Sequence, residues 1–584
     1  GAVTIVRDGT GLVNVDYSST DGDAITLVIT AGGAGNIEYD SKSTGTLTLG
    51  AITQAGSGDL TISNEATIAV TAVINTTAGA DDDLSITAGA GGDITLADVN
   101  NILTTGAGAV VLNADGDDIT VAGSSTNPEI LGTGTITLTA SVIGSSDGNN
   151  LGLSGATALV LSDTGTGNIF INELAGTTIA ATTITVASNN SGTIDINYQG
   201  SNVVDINNAL AINSVILSNS TTSTFSFTAT AGNITATAIN TADKALTIAA
   251  LDGTIALVDL DTTSGNVDID ATGNIILTDD TAVTTVAGNI DINTSAGAID
   301  TTGASNTTAD LVTAGGTIRL EAATGISDSG VLGLDIDSGT GAVTIVRDGT
   351  GLVNVDYSDT GSDAITLTIT AGGSGDIEYD SESTGTLTPG TITFTGSGSL
   401  TISNEATITL SNAITTAAST TSGTASGSIT IAAGGTGAIT QSNNLTTGTA
   451  TVANASGVTT ATTGTISLTS VTGITGAGIS ATGNASVDAG TAGAVDTAVS
   501  GDITLNVTGA GDVGLSGTNA LTIGAATVTN NTANDTSETG AITVTSADRV
   551  NNGTAAGDLD VKFGAASGGQ TNTAGVLTVT TDAG

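Results

Sequence analysis

The sequence predicts an all-β fold, a parallel β-helix (β-solenoid) of about twenty residues per coil with essentially no α-helix. Three observations carry the prediction. A block of about seventy residues occurs twice, a five-residue strand motif opened by glycine recurs along the chain, and 82 Gly stand against 2 Pro in 584 residues.

The repeated block comes first because internal repeats decide an architecture before any local reading does. GAVTIVRDGTGLVNVDYS starts at Gly1 and again at Gly341. GNIEYDS around Tyr39 returns as GDIEYDS around Tyr379, and LTISNEATI ends at Ile68 and at Ile408. The clearest duplication is therefore 1–70 against 341–410, a long tandem unit 1–340 followed by a second partial copy 341–584. We read 1–584 as one continuous solenoid and as an internal segment of a longer chain, since it has no Met and opens inside the repeated block.

The strand motif follows: GDITL at Gly92, GTITL at Gly134, GTIAL at Gly253, GNIDI at Gly288, GTIRL at Gly316, GTISL at Gly464 and GDITL at Gly501. Each places apolar residues at its third and fifth positions, the period-two alternation of a half-buried strand. Ile94, Leu96, Ile255, Leu257, Ile290, Ile292, Ile503 and Leu505 are thus expected inside, and Thr95, Ala256, Asp291 and Thr504 outside. Motifs about twenty residues apart suit the rung of a parallel β-helix better than a hairpin. Gly accepts corner conformations, and scarce Pro spares the ladder donors, so Pro128 and Pro389 are expected at corners. Two per cent aromatic residues suit a narrow interior of Ile, Val, Leu and Ala.

Composition also excludes functions. With 56 acidic and 7 basic residues the formal net charge is -49, which repels nucleic acid and anionic lipid. No apolar run approaches the length of a membrane-spanning helix, so no membrane insertion is expected. Cys, His, Trp and Met are absent, which removes thiol and imidazole chemistry together.

Through SGNVDIDATGNIIL (Ser264 to Leu277) and AGNIDINTSAGAID (Ala287 to Asp300), the chain resembles the filamentous haemagglutinin-like giant bacterial adhesins. The resemblance implies a right-handed β-helix, export to the extracellular space or cell surface, and a role as a rigid stalk or adhesive fibre. Its expected partners are neighbouring repeats or copies of itself end to end, with host-cell or surface glycans bound through modules outside this window.

Candidate sites are few. Asp-rich turns at Thr20–Asp23, Gly79–Asp83, Asp115–Asp118 and Asp259–Asp261 carry the oxygen ligands that calcium takes, although Asp also favours such corners for its turn hydrogen bonds. GGSGDIEYD from Gly372 is superficially like the calcium nonapeptide, but Asp376 falls one place early. Thr-x-Thr pairs such as Thr135 with Thr137, Thr183 with Thr185, and Thr386 with Thr388 do not extend into an array, because Asp195, Asp268, Asp291 and Arg319 hold equivalent positions. The seven basic residues, Arg7, Lys42, Lys244, Arg319, Arg347, Arg549 and Lys562, are scattered. Arg7 and Arg347 are expected to pair with the adjacent Asp8 and Asp348. Tyr17, Tyr39, Tyr357 and Tyr379 read as packing features of the repeated block, ahead of a carbohydrate-stacking platform.

The expected function is therefore the structural shaft of an extracellular fibre or giant adhesin, with no catalytic residue, cofactor site or metal site assigned. The alternatives are a self-assembling surface filament or sheath subunit, and a polysaccharide-active β-helix enzyme.

Overall fold

The structure is a computed structural model, and it describes residues 1–584 other than 77–81, 98–101, 105–107, 115, 123–127, 133, 146–150, 166, 168, 174–178, 187–193, 199–209, 218–223, 230–232, 237–238, 241–244, 279–282, 303–308, 328–332, 360, 395–396, 456–457, 477–478, 482, 490–494, 517–519, 530–533, 552–558 and 582–584. The chain divides into two compact units, Gly1–Ile276 with Ala282–Gly288, and Leu277–Thr281 with Asn289–Gly584. Both are parallel β-solenoids. Among the described residues there is no helix.

In the first unit each coil feeds two sheets, with one strand or with two short ones, as where Ile68–Val70 and Ile74–Thr76 both pair with Leu47–Gln54. Ala2–Arg7, Ile25–Ala31 and Leu47–Gln54 stack in parallel in the first sheet, with Val3 facing Leu27 and Ile25 facing Leu47. Val13–Tyr17, Ile37–Ser41, Leu60–Asn64 and Leu84–Ala88 stack in the second. Like packs on like: Ile37, Leu60, Leu84, Val110 and Ile136 form one buried column, each at most 1 % exposed. Such columns fill a narrow interior without large rings.

The second unit repeats this path. Ala342–Arg347, Val353–Tyr357, Ile365–Ala371, Ile377–Ser381, Leu387–Phe394 and Leu400–Asn404 have the bounds of the first six strands, displaced by the repeat length, with the same inward positions. All eight residues expected in the core are 0 % exposed, while Thr95, Ala256, Asp291 and Thr504 lie on the outward side.

Coil length departs from about twenty. The outward residues that open successive strands lie 21 residues apart at Asn233 and Thr254, but 23, 24 and 26 apart along Asn36, Asp59, Asp83 and Ala109. In the second unit the interval grows from 23 at Asp376 to 29 at Ser399, 37 at Ser428 and 39 at Asp502. Three further short sheets absorb the added length. Ala450–Ala455, Ala485–Ala489 and Ala526–Thr529 form one, Thr459–Thr462, Asp496–Val499 and Thr536–Glu538 a second, and Ile479–Ala481, Leu521–Ile523 and Val561–Phe563 a third. The first two enclose a thin core of Ala450, Val452, Ala461, Ala485, Val487, Ala498, Ala526 and Val528.

Pro128 lies outside the strands, just before Ile130–Leu131, as expected. Pro389 corrects the other half of that expectation: it is buried within Leu387–Phe394. It stands at a bulge, where Leu367 faces Pro389 and the next pair is Ile369 with Ile392. A bulge is where a strand tolerates a missing donor.

Candidate functional site

The polar groups of the interior form ladders that bind each coil to the next. In the second unit Ser426, Thr463, Ser500 and Thr539 are at most 1 % exposed. Their hydroxyls accept the backbone N–H groups of Gly464, Gly501, Gly540 and Gly575, one coil on, at 2.9, 2.7, 3.1 and 2.7 Å. The glycines are obligatory: a Cβ at Gly501 would stand 1.9 Å from the carbonyl oxygen of Gly464, and one at Gly464 would stand 2.2 Å from that of Gly427. On the outer side, the residue after the motif glycine caps the same residue of the next coil. Asn289 accepts from the N–H of Thr317 at 2.8 Å, Asn484 from Ala525 at 2.9 Å, and Asp502 from Ala541 at 2.7 Å.

Arg7 and Arg347 overturn the expected pairing with Asp8 and Asp348, which are exposed. Both guanidinium groups turn into the coil. Arg347 is 0 % exposed, and its Nη1 donates to the carbonyls of Gly351 and Gly375 at 2.7 Å each while Nη2 donates to Gly372. Arg7 makes the matching bonds to Gly11 and Gly35, and its Nη2 donates to Gly33, one residue beyond the counterpart of Gly372. A planar fork of fixed donors suits a ring of carbonyls that a lysine would not span.

Three of the four tyrosines of the repeated block pack as expected, while Tyr17 is half-buried. Tyr39, Tyr357 and Tyr379 are buried, and the Tyr357 hydroxyl donates to the Gly339 carbonyl at 2.9 Å.

The Asp-rich turns also act as caps. Asp82, 3 % exposed, accepts from the N–H of Gly58 at 2.7 Å, and Asp83 accepts from that of Ala109 at 2.7 Å. Asp93 accepts from Asp118, whose own carboxyl is pushed up by burial and then by Asp93 and Asp117. Burial followed by Asp259 likewise raises Asp261. Among the described residues no three carboxylates converge as a metal site. Asp81 and Asp115 lie outside the described residues, as does Lys244.

The strongest electrostatic feature arises where the two copies differ. In the first, Lys42 places its ammonium 2.9 Å from Asp40 and 3.3 Å from Glu65. The Ser63 hydroxyl and then Lys42 hold the Asp40 carboxyl below its ordinary range. In the second copy Glu382 stands where Lys42 stood, beside the counterparts Asp380 and Glu405. A cavity of about 70 Å³ there is lined by Asp335, Asp356, Tyr357, Ser358, Asp380 and Glu382. Burial, then the charge of Asp380, pushes the Asp356 carboxyl up to about 6.

Such a carboxyl is suited to proton transfer, but the space is small. Ligand pockets usually measure about 300–1,000 Å³. A wider groove of about 550 Å³ beside it is lined by Glu382, Thr384, Glu405, Ala406, Gly435 and Thr436. That lining has no basic group to bind an acidic sugar and no ring to stack on one. Arg319 is engaged elsewhere, 2.9 Å from Asp291 and also paired with Glu321.

No family model, no curated protein and no solved structure matches this chain.

Proposed function

We propose that this chain is the structural shaft of an extracellular fibre or giant adhesin, a spacer that carries force and does no chemistry. The observation that supports this best is the succession of buried hydroxyl-to-glycine bonds through Ser426, Thr463, Ser500 and Thr539, which ties successive coils of the second unit together by more than their strand ladders. Nearest-neighbour bonding of this kind makes stability a sum over coils, so a pulled end yields locally while the rest holds. The acidic exterior, with a formal net charge of -49, keeps neighbouring shafts apart.

Pulling the full chain by its termini in a single-molecule force experiment tests the reading. A shaft extends in many successive steps, each releasing about one coil. Cooperative collapse of a whole unit in one low-force step overturns it. Concentration-dependent polymerisation would favour the filament subunit instead, and release of reducing ends from acidic or neutral polysaccharides would favour the enzyme.

A further inference from the structure

The first sheet of the second unit presents an uncharged outward face on this acidic chain, as its counterpart from Ala2 to Thr76 does, but one richer in threonine. From Ala342 to Thr475 its outward strand positions carry no charged side chain, and most are threonine. Thr370 stacks on Thr393, Thr393 on Thr415, and Thr415 on Thr446. A second column runs through Thr409, Thr440 and Thr475. The expectation that threonine pairs form no array is thus corrected for this face. Asp268, Asp291 and Arg319, which argued against one, lie on other coils.

Strand preference alone does not account for it. Thr is favoured in any half-buried strand, yet the second sheet of the same coils turns Asn354, Asp356, Glu378 and Asp380 outward. The two copies add an independent observation. On this sheet their strands differ at four outward positions, and Val28, Ala51, Ala69 and Asn75 of the first copy are replaced by Thr368, Thr391, Thr409 and Thr415. All four changes end in threonine.

We propose that this threonine face binds ice. Rungs lie about 4.8 Å apart, so each column is a row of evenly spaced groups, and the two rows run side by side, six residues apart in each coil at Thr409 and Thr415 and at Thr440 and Thr446. Each threonine offers a methyl and a hydroxyl on a β-branched stem already stiff at χ1. Water along such rows is ordered by hydroxyls at fixed intervals and caged by the methyls between them, and no ion draws it into a hydration shell. A layer so ordered can merge with the face of a growing crystal. The reading is independent of the shaft and adds a surface for it to carry.

The test uses the full chain, fluorescently labelled, with a single ice crystal grown slowly in its solution. The expected result is incorporation into the ice on defined planes. Thr393→Lys combined with Thr440→Lys should reduce it to the level of an inert labelled protein, while Glu378→Lys on the other sheet of the same coils leaves it unchanged. Circular dichroism shows that each variant keeps its strands; should the double variant unfold, Thr393→Asn and Thr440→Asn singly carry the same comparison. Exclusion of the full chain from ice overturns the proposal. So does incorporation that the threonine variants do not reduce, or adsorption to crystalline cellulose or chitin without adsorption to ice.

Discussion

The hydroxyl of Thr463 accepts the backbone N–H of Gly501, 38 residues further on, at 2.7 Å. Both groups are buried, and the bond joins two coils at a corner where strand pairing has ended. Without it the Gly501 N–H would have no partner in an interior closed to water. Thr463→Val, which keeps the shape and removes the acceptor, is therefore expected to destabilise the second unit by about 1–3 kcal/mol. Thr463→Ser should recover most of the loss in a urea titration.

Arg347 gives a second prediction. Its fork satisfies three carbonyls from two coils at once. Arg347→Lys keeps the charge but cannot place donors in the same plane. The expected loss is about 3 kcal/mol or more, because a buried charge is left poorly satisfied. Arg347→Lys should also make the 341–380 region the first site of proteolytic cleavage.

Acidity should stabilise the coil that holds Asp356. Its folded-state carboxyl is raised to about 6 from 3.8, so between those values the folded chain binds more protons than the unfolded one. Stability contributed by this group is present below its unfolded pKa and lost as pH rises through about 6. The melting midpoint should rise on going from pH 7.5 to 5, and Asp356→Asn should flatten that rise. A profile unchanged by Asp356→Asn would show that the group is not buried as described.

The exchange of Lys42 for Glu382 predicts a gain. Glu382→Lys restores an ammonium between Asp380 and Glu405, as Lys42 stands between Asp40 and Glu65. The melting midpoint should rise, and the difference should shrink in high salt, since the group is exposed and screened.

The strands were legible because period-two alternation repeats in nearly every coil, and it placed Ile290 and Ile292 inside and Asp291 outside without ambiguity. The same alternation held the fate of Arg7: Val3, Ile5 and Arg7 share a phase, so the charge had to follow them inward. The adjacent Asp8 is the nearer partner in sequence but lies in the opposite, outward phase. Other features depend on which residues become neighbours one coil away. The Lys42 bridge to Glu65 spans 23 residues and the Asp502 cap on Ala541 spans 39, intervals that no local pattern announces. Coil growth in the second unit was hidden for a related reason. The added strands, such as Thr459–Thr462 and Asp496–Val499, are rich in Thr and Ala and look like the loops between stronger motifs. Pro389 escaped because bulges leave no composition signal of their own.

The central claim is that successive coils are bonded in parallel register, and a pair of engineered cysteines in this cysteine-free chain tests it most directly. Thr430 and Ser467 lie opposite each other on adjacent coils, facing outward. In-register positions about 4.8 Å apart fit a disulfide, whereas Thr430 and Thr469, one step off register at about 8 Å, do not. Thr430→Cys with Ser467→Cys should oxidise fully to an intramolecular disulfide in the folded chain, and Thr430→Cys with Thr469→Cys should remain reduced. Failure of the first pair to close, or equal closure of both, would contradict the parallel coil-on-coil register of the solenoid.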